Sequence, residues 1–246
     1  MAILIPTLSI ILLPILQRLG IYIHTSYPLI EEVNIILFTF VSFSVLGMAG
    51  DLFPQKISHT VQLIIGSFLS LLIASILYIN LNISFLNLPN FGTLSLGPLI
   101  IPFAAGVIML FSTSFKKTNH IDGLVPGILM ISLIALWIIS VTMLDTPLSI
   151  FTAVWIGSLL AFLYFTVYPA RISLGQTGTL GFGATFALVG LLLGKSVALF
   201  VIGGLFFANP IFIKLSKLGW SEPKIMMRSW LIGLMLAVFG LWLALL

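Results

Sequence analysis

Apolar residues in this chain run for about 16 to 21 positions at a time between short polar breaks, long enough to cross a hydrocarbon core of roughly 30 Å. The runs at 2–17, 33–50, 60–79, 98–114, 124–143, 148–167, 178–193, 197–213 and 226–246 predict about nine membrane spans. Each is expected to be a helix, because lipid offers an open backbone no hydrogen-bond partner. The predicted fold class is therefore all-α, a polytopic integral membrane protein in which residues 1–246 form a single helical membrane domain. No basic residue precedes the first run and no small-x-small site follows it, so it is expected to be a retained span, not a cleaved signal.

Composition strengthens this picture, with 60% of residues hydrophobic and 7% charged. The absence of cysteine excludes disulfides, a thiol nucleophile and thiolate metal sites. Lys56, Lys116, Lys117, Arg171, Lys214, Lys217, Lys224 and Arg228 fall on alternate breaks, while the opposite set carries only Arg18 and Lys195. The basic side is expected to be cytoplasmic, with the N-terminus inside and the C-terminus outside. Basic residues dispersed in this way set orientation; a nucleic-acid surface would need them as a dense stripe, so nucleic acid is not an expected partner. Residues 80–97 become the longest outer loop, uncharged and rich in Asn, Pro and Gly. Paired halves with matching broken helices, the mark of many secondary transporters, are not visible in the sequence.

Polar residues gather in islands at 47–56, 112–127, 168–183 and 214–228, all predicted on one membrane face. Polar islands in so apolar a chain are where a membrane protein keeps its chemistry. Asp51 ends a span, where a carboxylate either takes a proton or a cation or simply stops a helix. Lys116, Lys117, Asn119, His120 and Asp122 form the densest ionisable group. The lysine pair attracts phosphate or marks the cytoplasmic side, His120 is a general base or a passive polar residue, and Asp122-Gly123 is a turn dipeptide. Arg171 precedes Gly175-Gln176-Thr177-Gly178, a Gly-flanked loop opening a helix, where backbone amides favour an anion and small residues equally favour tight packing.

The order of these islands resembles the polyprenyl-phosphate sugar-1-phosphate transferase superfamily (glycosyltransferase family 4), and most of all its phospho-N-acetylmuramoyl-pentapeptide transferase branch. The resemblance rests on Gly219-Trp220-Ser221-Glu222-Pro223-Lys224 with Arg228, Trp230, Ile232 and Gly233. It also draws on Pro169-Ala170-Arg171 before Gly175-x-Thr177-Gly178, on Asp122-Gly123-Leu124, and on the stretch 47–51 followed by Gln62. It implies a phosphoglycosyltransferase of the bacterial cytoplasmic membrane in peptidoglycan and cell-envelope synthesis. Its partners would be membrane lipid, undecaprenyl phosphate and a UDP-sugar, with a homodimer as the assembly. The family has ten spans with outer termini, so this chain starts one span late, in agreement with nine spans and an inner N-terminus.

Departures from the family pattern bear on activity. Gly50-Asp51 stands where the family has paired aspartates, leaving Asp51 as the catalytic candidate. Among the substrate-binding candidates, Lys116, Lys117, Asn119, His120 and Asp122 lie in the nucleotide-binding stretch and Arg171 and Thr177 in the third island. Gln176 replaces the metal-binding aspartate, Ser173 replaces an aromatic that stacks on uracil, and the His-rich loop before the tail string is missing. The resemblance implies Mg²⁺ as cofactor, but Mg²⁺ prefers anionic oxygen and a neutral Gln is a poor ligand. The expectation is a catalytically impaired homologue, a pseudoenzyme. The alternatives are an active transferase of the same type, a non-catalytic polyprenyl-phosphate-binding or envelope-synthesis partner, and a small lipid transporter.

Overall fold

Apolar sequence and internally satisfied backbone together produce long helices wherever a run is unbroken. The computed structural model describes residues 27–53, 58–81, 85–88 and 92–246. In order they form α1 (Tyr27–Leu52), α2 (His59–Leu81), the strands β1 (Phe85–Leu88) and β2 (Gly92–Ser95), α3 (Ile100–Thr118), α4 (Leu124–Thr142), α5 (Thr146–Thr166), α6 (Gly175–Leu192), α7 (Ser196–Ile202), α8 (Asn209–Lys217) and α9 (Glu222–Leu245). Six of these helices, α1 to α5 and α9, are long and apolar enough to cross a membrane. The expected span at 2–17, the side of the N-terminus and Lys56 lie outside the described residues.

Two further runs expected as spans are not among these six helices. The run at 197–213 is broken into α7, a 3-10 turn over Gly204–Phe207 and the short α8. Gly203-Gly204 costs helix propensity there, and Pro210 cannot continue a helix, so it starts the next one in its first turn. The second is the run at 178–193, which is α6, every residue of which from 178 to 191 is buried. It is a core helix walled by others. Within the expected outer loop a hairpin forms, β1 antiparallel to β2 with Phe85 opposite Ser95. The other regular elements among the described residues are helical.

Packing of α6 explains its composition. A Cβ on Gly47 of α1 would lie 2.3 Å from the Gln176 carbonyl oxygen, and one on Gly183 would lie 2.8 Å from Ser112 Cα in α3. Small residues therefore let α1 and α3 close on α6 from different sides, the usual way helices associate without a hydrophobic driving force. The Ser112 hydroxyl donates to the Leu180 carbonyl at 3.1 Å, tying α3 to α6. Beneath lies an aromatic cluster in which Phe115 stacks on Phe206 at 3.7 Å between centroids, with Phe111 and Phe186 edge-on at 5.5 Å. On the other side Trp230 of α9 sits over Gly127 of α4, where a Cβ would be 2.1 Å from the ring.

Candidate functional site

Asp51 is set at the last turn of α1, facing the start of α6. That start needs a partner, since its first N–H groups have none within the helix and its N-cap residue Leu174 offers no side-chain acceptor. Asp51 supplies one across 125 positions of sequence. Its Oδ1 accepts from the Gln176 N–H at 3.0 Å, and its Oδ2 accepts from the Thr177 N–H at 2.9 Å and the Thr177 hydroxyl at 2.7 Å. A carboxylate at a helix N-terminus is also favoured by the helix dipole. Gly175 takes φ +63° in the turn, and a Cβ there would come within 2.9 Å of Asp51 Oδ2. Glycine is required on both counts.

Next to this cap lies a second polar chain. The Lys116 ammonium, in the last turn of α3, donates to Gln62 Oε1 of α2. Lysine only donates, so the Gln62 oxygen must face it and the amide nitrogen must face away. That nitrogen donates to Gln176 Oε1 at 3.1 Å. The bridge passes directly over Gly50, where a Cβ would be 1.9 Å from Gln62 Nε2 and 2.8 Å from Gln176 Oε1. The side-chain volume of position 50 is thus filled by two amides. Gln62 is buried, while Lys116 and Gln176 are half-buried.

A cleft opens beside the bridge between α1, α2, α3 and α6. Its polar lining is His59, Gln62, Ser112, Thr113 and Lys116, and Phe43, Leu46, Leu63, Met109 and Leu180 complete the wall. The face of α2 turned away from Gln62 carries exposed Ile64, Phe68 and Leu71.

Of the residues expected from sequence, Asp51, Lys116, Gln176 and Thr177 come together. The others spread along the same end of the bundle. Asp122 Oδ2 accepts from the Ala170 N–H at 3.1 Å and so braces the loop that carries Arg171, which is exposed. Lys117 and His120 are exposed, with His120 Nδ1 3.2 Å from the Lys117 carbonyl oxygen, and Asn119 is the C-terminal cap of α3. In the tail string, Gly219 turns the chain at φ +81°, and the Trp220 ring lies 4.7 Å from the Lys224 ammonium and 4.4 Å from the Arg228 guanidinium. These are cation–π distances. Gln62 entered the sequence reading only through the resemblance, as the residue following the stretch 47–51, and its bonds to Lys116 and Gln176 were not visible there.

The donor set does not fit a divalent cation. Among the described residues no three His, Asp or Glu side chains converge. Both Asp51 oxygens are engaged by N–H and O–H donors, each glutamine of the bridge offers an oxygen already bonded, and the nearest formal charge in the bridge is an ammonium. Mg²⁺ calls for free, preferably anionic oxygens in octahedral array.

Helices of this length, packed through glycine around a buried central helix with the candidate site residues gathered at one end, define an integral membrane protein. Residues 33–194 match the family model described as glycosyl transferase family 4, and the chain belongs to that family. Its curated relatives include proteins named phospho-N-acetylmuramoyl-pentapeptide-transferase. The one from Borrelia hermsii is 30% identical over 254 residues, covering 84% of this chain and 72% of the relative. The one from Clostridium perfringens strain SM101 is 31% identical over 229 residues, covering 79% and 69%. The Leptospira biflexa protein is 31% identical over 184 residues, covering 60% and 50%. The family match ends before the tail string, at residue 194.

Proposed function

We propose that this chain holds a polyprenyl phosphate at the cytoplasmic face of a bacterial inner membrane. In the same reading it is impaired in moving a sugar-1-phosphate, of the phospho-N-acetylmuramoyl-pentapeptide kind, from a UDP-sugar to undecaprenyl phosphate. Family membership supports the sugar-phosphate transferase class. The observation that carries the impairment is the Lys116–Gln62–Gln176 bridge lying over Gly50. Transfer of a phosphoryl group between two anionic partners depends on neutralising charge as the acceptor attacks, a task metal ions perform by clamping phosphate oxygens. Here the oxygens that would carry such an ion are tied to each other and to α6. Asp51, the one carboxylate in the group, serves the helix start, and using it as a base would uncap α6.

An active transferase is the second reading, favoured by the 30% identity to a relative bearing that name. Purified protein given UDP-N-acetylmuramoyl-pentapeptide or UDP-N-acetylglucosamine, undecaprenyl phosphate and Mg²⁺ separates the two. UMP release at background level supports impairment. Mg²⁺-dependent release that disappears in Asp51→Asn establishes the active reading in its place.

A further inference from the structure

We propose that Glu32 and Asp145 share one proton across the α1–α5 contact, forming a pH-sensitive clasp at the end of the bundle opposite the candidate site. Neither residue belongs to that site. Both helices run toward the polar end, α1 finishing beside Asp51 and α5 leading into the loop that Asp122 braces. They pack against each other, and Phe182 of α6 fixes their register, its ring 5.6 Å from Phe40 of α1 and 5.6 Å from Trp155 of α5. Glu32 stands eight positions before Phe40, and Asp145 stands ten before Trp155. At a rise of about 1.5 Å per residue these offsets are about 12 Å and about 15 Å, which brings the two carboxyl groups to nearly the same level.

Their surroundings leave a proton as the missing partner. Glu32 is half-buried, and its Oε2 is fully enclosed without a hydrogen-bond partner among the described residues. An enclosed oxygen left unmatched is costly, and more so when it carries charge. Asp145, also half-buried, uses Oδ1 to accept from the Leu148 N–H at 3.2 Å, and its Oδ2 takes no bond among the described residues. The Asp145 charge acts on Glu32 through space. The other titratable groups that packed elements bring to this end are Tyr78 of α2 and Lys195 after α6, and Glu32 Oε2 is bonded to neither. Two carboxylates at one level repel each other. A single proton removes one charge and supplies the donor both lack, as a Glu32 O–H donating to Asp145 Oδ2. The proton enters from solvent and returns to it, so no other reactant is required. The clasp is closed in acid and is lost as pH rises, because the folded pair holds the proton more tightly than the unfolded chain. Helix α1 also carries Asp51, which caps α6, so the clasp anchors the far end of a helix on which the candidate site depends.

Thermal unfolding of full-length protein in detergent, from about pH 4 to about pH 8, compares the parent with Glu32→Gln, Asp145→Asn and the double variant. Glu32→Gln keeps the shape and offers an N–H donor that needs no added proton. Each single variant is expected to melt about 2–4 °C above the parent at the alkaline end and to match it at the acid end. The double variant is expected to gain no more than the better single one, since both remove the same repulsion. Infrared spectra at about pH 6, where ordinary carboxyl groups are ionised, are expected to show a carboxylic-acid C=O band in the parent that Glu32→Gln lacks. Lys195→Gln is expected to leave the pH dependence as it is. Glu32→Gln melting below the parent at the alkaline end, single gains that add in the double variant, a parent without the band, or a pH dependence abolished by Lys195→Gln overturns the clasp. Should Glu32→Gln not fold, the presence or absence of the band in the parent decides.

Discussion

At the scale of single residues, the candidate site is a set of mutual fits. Gly50 exists as glycine because the Gln62 and Gln176 amides lie where its side chain would be. Gly50→Ala is therefore expected to break the bridge and cost about 1–3 kcal/mol through overpacking. The companion change Gln62→Ala in the same chain should recover part of that loss, and thermal unfolding of the single and double variants in detergent measures the coupling. Asp51→Ala removes the acceptor for two N–H groups of α6 and is expected to destabilise the fold by about 1 kcal/mol, as loss of a cap does. None of these fits was legible in the sequence. Asp51 and Gln176 stand 125 positions apart and Gln62 and Gln176 stand 114 apart, and no local period connects them. What the sequence did show was the residue types, above all the neutral Gln176 beside Thr177 and the lone Asp51 after Gly50.

Among the elements, the unbroken apolar runs were readable and the broken one was not. Helix α2 extends over His59–Leu81 where the run predicted 60–79, because nothing inside it opposes a helix. The run at 197–213 was just as apolar, but hydropathy does not register the Gly203-Gly204 pair and Pro210 that divide it into α7, a turn and α8. Helix α5 shows how a turn is held: the Asp145 carboxylate accepts from the Leu148 N–H at 3.2 Å and caps the helix. Burial pushes the Asp145 carboxyl above its ordinary value, against the Leu148 N–H, which favours the charged form. The folded state then holds that proton more tightly than the unfolded chain. This contribution favours folding at low pH and is lost as pH rises through the carboxylate range. Asn caps about as well as Asp and carries no charge, so Asp145→Asn is expected to melt above the parent at about pH 8, with the gap closing near pH 4. A gap that widens on acidification would contradict this sign.

For the whole molecule, the distribution of basic residues and the packing agree. Lys117, Arg171, Lys214 and Lys224 are exposed at the end of the bundle that holds Asp51 and Gln62, whereas the α4–α5 turn with exposed Leu144 is at the other. Because the chain has no cysteine, single cysteines placed at Arg171 and Leu144 report orientation directly. A maleimide that cannot cross membranes is expected to label Arg171→Cys only from the cytoplasmic side and Leu144→Cys only from the opposite side. The central claim is the proposed one, that the Lys116–Gln62–Gln176 bridge leaves the polar end without a metal site. Mn²⁺ titration followed by electron paramagnetic resonance tests it most directly, on the purified chain and on a Gly50→Asp, Lys116→Asn, Gln176→Asp variant. The account predicts no saturable Mn²⁺ binding by the chain and saturable binding by the variant. Saturable Mn²⁺ binding by the unaltered chain, lost in Asp51→Asn, would contradict it.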